Sequence, residues 1–253
     1  MSKKKRADQV LYEAGLAESR EKAKRLIMAG KVSIRRDTTL TRVEKPGQQL
    51  APDTALHLED PERFVSRGGE KLLTAIEHFG LHLQGVVCLD AGASTGGFTD
   101  CLLQSGATRV YAVDVGRNQL HEKLKADCRV VSMEGVNLRH AGSELLPELV
   151  DLITVDCSFI SLKLILPACA QFLKPGGQVV ALVKPQFELG PEAVGKGGVV
   201  TSPELRQRAV EKIVSYGEQE LGFTCCGVIP SRITGPKGNQ EYLVLFETEG
   251  DRK

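Results

Sequence analysis

Four ionisable side chains stand directly after apolar, β-rich runs: Asp90 after Val86–Leu89, Asp114 after Val110–Val113, Asp156 after Leu152–Val155 and Lys184 after Val179–Val183. In an open α/β sheet, ligands bind beyond the carboxyl ends of the strands, so chemistry is expected at this rim. The turn after the first run reads Asp90-Ala91-Gly92-Ala93-Ser94-Thr95-Gly96-Gly97. Gly92, Gly96 and Gly97 allow the backbone to approach a ligand closely, since no Cβ intervenes. Ser94 occupies the second glycine position of the dinucleotide fingerprint, which argues against a tightly wrapped pyrophosphate. Asp114 lies 24 residues beyond Asp90 (114 − 90), where a carboxylate binds both hydroxyls of a ribose or closes a strand-end turn. Together these residues point to an adenosine-bearing cofactor without a pyrophosphate. Asn137, in Gly135-Val136-Asn137, either hydrogen-bonds an adenine or makes a turn.

The elements that must hold these groups are a series of apolar runs alternating with helical patterns. Besides the four named, strands are predicted at Val130–Val131, Cys225–Ile229 and Tyr242–Phe246. Continuous apolar strands separated by helices imply a mostly parallel sheet covered on both faces, hence an α/β body. Gly190 to Val200, just after Lys184, is rich in glycine and reads as a lid over a substrate or as an idle loop. The seven cysteines sit mostly in apolar runs without CxxC spacing, so reduced buried thiols are expected rather than zinc or disulfides. No metal partner is expected.

Ahead of this body the chain is basic. Residues 1 to 45 hold 13 Lys/Arg against 6 Asp/Glu, net +7, and residues 46 to 253 hold 20 against 26, net −6, which together give the overall +1. Such asymmetry suggests a polyanion contact at one end. Two short helical patterns, Val10-Leu11-Ala14 and Ala23-Leu26-Ile27, end at Gly15 and Gly30, with Ser19 as the N-cap of the second. Arg20 and Lys24 share a face, and Lys31, Arg35 and Arg36 flank the strand-like Val32-Ser33-Ile34, so several cations could track a phosphate backbone. Glu44 to Gln48 reads as a turn and Leu56-His57-Leu58 as a closing strand. Lys3 to Arg6 would suit the start of a signal peptide, but Ala7-Asp8-Gln9 and Glu13 interrupt the apolar stretch that should follow. No 18-residue apolar span occurs, so a cytoplasmic protein without a membrane partner is expected.

The run from Gly15 to Val32 resembles the S4-type RNA-binding domain, an α+β fold. This implies a domain over residues 1–60, a linker at 61–67 and a second domain over 68–253, with Arg6, Arg20, Lys24, Arg25, Lys31 and Arg67 as RNA contacts. The Gly-rich turn resembles motif I of the class I methyltransferases, with their Rossmann-like sheet flanked by helices, and in particular the FtsJ-like branch that methylates ribose 2′-hydroxyls. In that branch a Lys-Asp-Lys-Glu tetrad is catalytic. The matching residues here are Lys71 in Gly68-Gly69-Glu70-Lys71, Asp156 in Val155-Asp156-Cys157-Ser158, Lys184 in Val183-Lys184-Pro185-Gln186-Phe187-Glu188 and Glu241 in Gly238-Asn239-Gln240-Glu241-Tyr242. With both domains included, the chain is similar to the TlyA-like family of ribosomal RNA methyltransferases, whose members were often labelled hemolysins.

That resemblance implies S-adenosylmethionine as cofactor, held by Asp90, Gly92, Ser94, Gly96, Gly97, Asp114, Asn137 and Asp156, and a cytidine ribose of ribosomal RNA, free or in a subunit, as acceptor. Cys157, Arg232 and Gln240 depart from the family pattern, and Arg232 bears on substrate fit. A 2′-hydroxyl is a poor nucleophile at neutral pH, so a base must take its proton. Lys184 is the expected base, since burial and the second cation Lys71 disfavour a charged amine. Asp156 is expected to orient Lys184, and Glu241 to hold Lys71 or the ribose. Alignment of the acceptor oxygen is worth on the order of 7 to 11 kcal/mol. An RNA-binding assembly factor without activity, a pore-forming hemolysin and an NAD-dependent oxidoreductase are the alternatives. The intact tetrad weighs against the first. The absence of spanning segments and the departure from the dinucleotide fingerprint weigh against the other two.

Overall fold

The computed structural model describes residues 4–37, 39–58, 63–195 and 197–250, in two compact units, Met1–Pro61 and Glu62–Lys253.

In the smaller unit the chain runs through β1 (Lys5–Arg6), α1 (Ala7–Glu13), α2 (Arg20–Met28), β2 (Val32–Arg36), β3 (Thr39–Arg42), β4 (Gln49–Leu50) and β5 (Leu56–Leu58). Strand β2 is central in the sheet β3-β2-β5, and β1 pairs with β4. Ser19 caps α2, its Oγ accepting from Lys22 N–H at 3.1 Å, and Gly15 and Gly30 follow the two helices with φ of 72° and 74°. Both conformations are left-handed and suit a residue without a Cβ. Val10, Leu11, Ala23, Ile27, Val32 and Ile34 form most of the core. Strands β1, β3 and β4 are too short or too polar to show in the sequence pattern.

The larger unit contains α3 (Gly68–Phe79), β6 (Val87–Ala91), α4 (Gly97–Gln104), β7 (Arg109–Asp114), α5 (Glu122–Lys125), β8 (Val130–Glu134), β9 (Val150–Val155), α6 (Leu162–Ala170), β10 (Leu173–Val183), α7 (Pro185–Glu188), α8 (Pro203–Leu221), β11 (Thr224–Pro230) and β12 (Tyr242–Glu247). Its seven strands lie in the order β11-β12-β10-β9-β6-β7-β8. The run from β10 to β8 is parallel, and β12 enters antiparallel between β10 and β11. Side chains alternate between two cores. Leu89, Ala91, Ile153 and Val155 meet α6 and α8 residues such as Leu166 and Ile213 on one face, while Cys88, Val110 and Leu152 meet Leu72 of α3 and Leu102 of α4 on the other.

Residues 63–67, read from the sequence as linker, belong to this unit. Phe64 is buried with Leu72 and Phe98, and Val65 N–H donates to Asp100 Oδ2 at 2.9 Å. One buried aromatic within a polar segment gave no periodic signal, and only the packing of α3 against α4 provides its slot.

Candidate active site

The chain crosses from one half of the sheet to the other between β6 and β9, and the loops leaving those two neighbouring strands open a crevice there. Asp156 N–H donates to Ala91 O at 3.0 Å, which ties the two loops together. Gly92 has φ of 87°, and a Cβ on it would stand 2.8 Å from Asp156 O, so no other residue fits this junction without displacing backbone. Ser94 also adopts a left-handed φ, of 49°, and its N–H donates to Asp114 Oδ2 at 2.8 Å. Gly116 N–H donates to Asp114 Oδ1 at 2.7 Å. Backbone donors therefore fix the Asp114 carboxylate, and each oxygen keeps a lone pair for a further partner.

Two residues expected to touch a cofactor, Asp90 and Gly96, border neither cavity described below. Asp90 lies within β6 rather than beyond it, paired across the sheet with Ala112 and Thr154. Its side chain points into the α3/α4 face, where Thr99 and Thr154 hydroxyls donate to it at 2.6 and 3.1 Å. Burial pushes this carboxyl up to about 7. The strand runs two residues further than its apolar run because the carboxylate finds hydroxyl donors inside. Gly96 and Gly97 serve packing: a Cβ on Gly96 would lie 2.2 Å from Leu124 Cδ1, and one on Gly97 would lie 2.2 Å from Ser66 Oγ and 2.9 Å from Gly69 N. The glycines let α4 start against its neighbours, and Gly97 also borders the second of the two cavities described below.

Two adjoining cavities share Gly92, Ser94, Asp156 and Ser158 in their walls. One, of about 520 Å³, is bordered by Asp114, Val115, Asn137, Phe159 and Ile160. Val115 and Phe159 are apolar yet 72% and 89% exposed, and Phe159 is held at φ of 64° beside Phe187, the ring centroids 5.1 Å apart. Asn137 Oδ1 accepts from Arg139 N–H at 3.2 Å, so this residue both makes its turn and faces the cavity.

The other cavity, of about 410 Å³, brings together Arg67, Lys71, Asp156, Lys184 and Glu241. Lys71 Nζ, from α3, donates to Glu241 Oε2 at 2.6 Å across 170 residues of sequence. Lys184 Nζ lies 2.6 Å from Asp156 Oδ1 and donates to Ser158 Oγ at 2.8 Å. The Lys184–Asp156 contact is an ion pair off hydrogen-bonding angle, so Asp156 Oδ1, like Glu241 Oε1, is a buried acceptor without a donor among the described residues. Gly235 makes room for Glu241: a Cβ there would sit 2.0 Å from Oε1. Each lysine thus has its own carboxylate, and both pairs border one cavity, an arrangement suited to receiving a hydroxyl.

Sequence reasoning missed Ser158, Val115 and Phe159. Ser158 had a signal in its place two residues after Asp156. The other two look like ordinary apolar residues until their exposure is known. Arg232 instead pairs with Glu77 at 3.0 Å on the surface, while Ile233, Thr234 and Gly235 border the cavity.

Among the expected RNA contacts, Arg6 and Arg20 are engaged with the fully buried Asp8, at 2.9 and 3.6 Å, a structural role that net charge alone could not reveal. Arg6 in turn holds the Asp8 carboxyl below the usual range. Lys24 pairs with Glu21 at 3.3 Å on the exposed face of α2. Arg25 and Lys31 border a cavity of about 420 Å³ with Leu16 and Leu26. Arg67 lies in the larger unit, exposed beside the reaction cavity. The described residues contain no cluster of metal-binding side chains and no helix long and apolar enough to cross a membrane.

A parallel sheet with one reversed strand near its edge, a Gly-rich first turn and a carboxylate at the end of the second strand, fixed by backbone N–H groups, have the form of a class I, Rossmann-like methyltransferase domain. Comparison with known proteins agrees. The FtsJ-like methyltransferase family matches residues 64–248, and the S4 domain matches residues 5–34. The chain is 46% identical to the 16S/23S rRNA (cytidine-2′-O)-methyltransferase TlyA of Mycobacterium tuberculosis, over 100% of this chain and 93% of that protein. It is 40% identical to Hemolysin A of Brachyspira hyodysenteriae, over 95% of this chain and 99% of the other. A solved structure from Streptococcus thermophilus, named as a hemolysin, superposes with a TM-score of 0.74 at 44% identity, covering 100% of this chain and 92% of that one. The chain belongs to the FtsJ-like methyltransferase family, groups with its TlyA relatives and carries an S4 domain at its N-terminal end.

Proposed function

We propose that this protein transfers a methyl group from S-adenosylmethionine to the ribose 2′-hydroxyl of a cytidine in ribosomal RNA. The observation that carries this reading is the meeting of two Lys–carboxylate pairs around a cavity that opens beside the Asp114 cavity. The names of the relatives supply the RNA and the nucleotide.

The lining of the Asp114 cavity fits an adenosine-bearing cofactor. Asp114 presents two oxygens, already aimed by backbone N–H groups, to a ribose diol. Val115 and Phe159 offer apolar faces to a purine, Asn137 offers a polar edge, and the volume lies within the ~300–1,000 Å³ range of small-molecule sites. When bound, S-adenosylmethionine supplies an activated methyl group and its own leaving group. Glu241 orients the acceptor ribose, and the 2′-hydroxyl aims its single proton at Lys184 Nζ, which directs its oxygen toward the junction of the two cavities. Lys184 takes the departing proton after releasing one of its own to solvent, and Asp156 at 2.6 Å stabilises the ammonium that results. Lys71 holds Glu241 in place. Most of the acceleration comes from this alignment. The basic S4 unit and Arg67 supply phosphate contacts that hold the RNA.

The test is methyl transfer from radiolabelled S-adenosylmethionine to unmodified ribosomal subunits and free rRNAs, comparing wild type with Lys184→Ala. Label in a 2′-O-methylcytidine, abolished by the substitution, is expected. A wild type that binds cofactor and labels no rRNA would overturn the acceptor. One that binds no cofactor would favour an inactive assembly factor.

A further inference from the structure

Glu188 is 3% exposed and borders neither cavity, yet it stands one turn of α7 beyond Lys184. Its Oε2 accepts from Ser161 Oγ at 2.5 Å and its Oε1 from Leu162 N–H at 2.9 Å, at the start of α6. Its backbone carbonyl accepts from Lys212 Nζ of α8. A buried carboxylate is costly to keep unless its oxygens are bonded, so a polar side chain here calls for a reason. Glu188 shares the capping of α6 with Ser161, whose Oγ accepts from Lys163 N–H at 3.3 Å, but this share of the cap comes from the turn that follows Lys184, so it also joins two separate segments.

The two segments joined by Glu188 are the ones that carry the reacting pair. Residues 156–162 begin with Asp156 and pass through Ser158, and residues 184–188 begin with Lys184. They are tied at one end by Lys184 to Asp156 and Ser158, in the middle by the Phe159–Phe187 ring contact, and at the far end by Glu188. The two Glu188 bonds are the polar ties between the segments at that end among the described residues, and removing them frees one segment to slide along the other. Such a slide moves Nζ against the acceptor oxygen.

We propose that Glu188 is a positioning residue for methyl transfer, holding the Lys184 turn against the Asp156–Leu162 loop so that Lys184 Nζ stays in register with Asp156 and Ser158. This rests on Lys184 and Asp156 being the reacting pair. A misplacement of about 1 Å costs on the order of 10²-fold in rate, so Glu188→Ala is expected to lower kcat by roughly 30- to 100-fold while KM for RNA stays within about 2-fold. Glu188→Gln keeps both ties, since the amide oxygen accepts from Leu162 N–H and the amide N–H donates to Ser161 Oγ, and its kcat stays within about 3-fold of wild type. In the ligand-free protein, amide exchange over residues 157–162 and 184–189 quickens about 10-fold in the alanine variant and not in the glutamine variant, with the strands β6 and β9 unchanged. If Glu188→Ala does not fold, Ser161→Ala removes one tie and is read by the same split of kcat from KM. A Glu188→Ala enzyme within 3-fold of wild-type kcat, a glutamine variant as slow as the alanine one, or a raised KM for RNA at unchanged kcat would each overturn the proposal. A wild type that labels no RNA refutes the methyl-transfer reading instead, while the exchange measurement still decides the role of Glu188.

Discussion

Lys71→Met tests whether the Lys71–Glu241 contact is a true buried ion pair. Glu241 is fully buried, Lys71 is nearly so, and they meet at 2.6 Å. Glu241 Oε1 has no donor among the described residues, and Gly235 sits against it with no room for a side chain. Removing the ammonium strands a carboxylate with one oxygen already unsatisfied, and breaking one side of a buried pair costs about 3 to 5 kcal/mol. For a domain of this size each kcal/mol lowers Tm by roughly 2 to 4 °C, so a fall of about 6 to 20 °C is expected. Lys71→Met/Glu241→Gln removes both charges, and replacing a pair by neutral groups is close to neutral, so at least half of the loss returns. Urea titration of wild type, both single variants and the double variant gives the coupling energy directly. A single-variant loss under about 1 kcal/mol, or a double variant less stable than Lys71→Met, would show that the pair is not desolvated as its burial indicates.

Asp90 makes stability depend on pH. The folded protein holds its proton to about pH 7 against 3.8 for an ordinary aspartate, so the folded state binds more protons in between, and stability falls as pH rises through this window, by up to about 4 kcal/mol. In urea titrations from pH 4 to 8, the wild-type curve should decline relative to Asp90→Asn, and parallel curves would refute the assignment. Gly92→Ala places a Cβ against Asp156 O in a left-handed backbone, and calorimetry is expected to find S-adenosylmethionine binding at least ~10-fold weaker, with a cost near 1 kcal/mol or more in stability. Reversing Arg25 or Lys24 to Glu should weaken RNA binding and lower the salt slope by about 0.7 to 0.9 per lost phosphate contact. Arg6→Ala should instead destabilise the S4 unit, because Asp8 loses its closest cation; an unchanged melting curve would return Arg6 to the RNA surface.

Several features were legible in the sequence because they depend on local rules. Apolar runs separated by helical patterns specify a covered parallel sheet, Gly15 and Gly30 end helices, Ser19 starts one, and the basic head is a matter of counting. Asp156, Lys184 and the ends of their strands were placed correctly because a strand's apolar run stops where its rim begins. Long-range proximity was not legible. Asp90 looks like Asp156 in sequence, a carboxylate closing an apolar run, and differs only because Thr99 and Thr154 are folded onto it. Gly96 resembles Gly92 until Leu124 is seen against it. Phe64 reads as linker until α3 and α4 enclose it. Nothing local links Lys71 to Glu241 or Glu188 to Ser161, since those bonds form only when the sheet order brings distant segments together. The sequence by itself determined which groups could do chemistry and the fold that carries them. Which lysine meets which carboxylate, and which polar groups serve the interior rather than the site, was decided by tertiary packing, because hydrogen bonds and ion pairs depend on distances of a few ångströms that no spacing along the chain encodes.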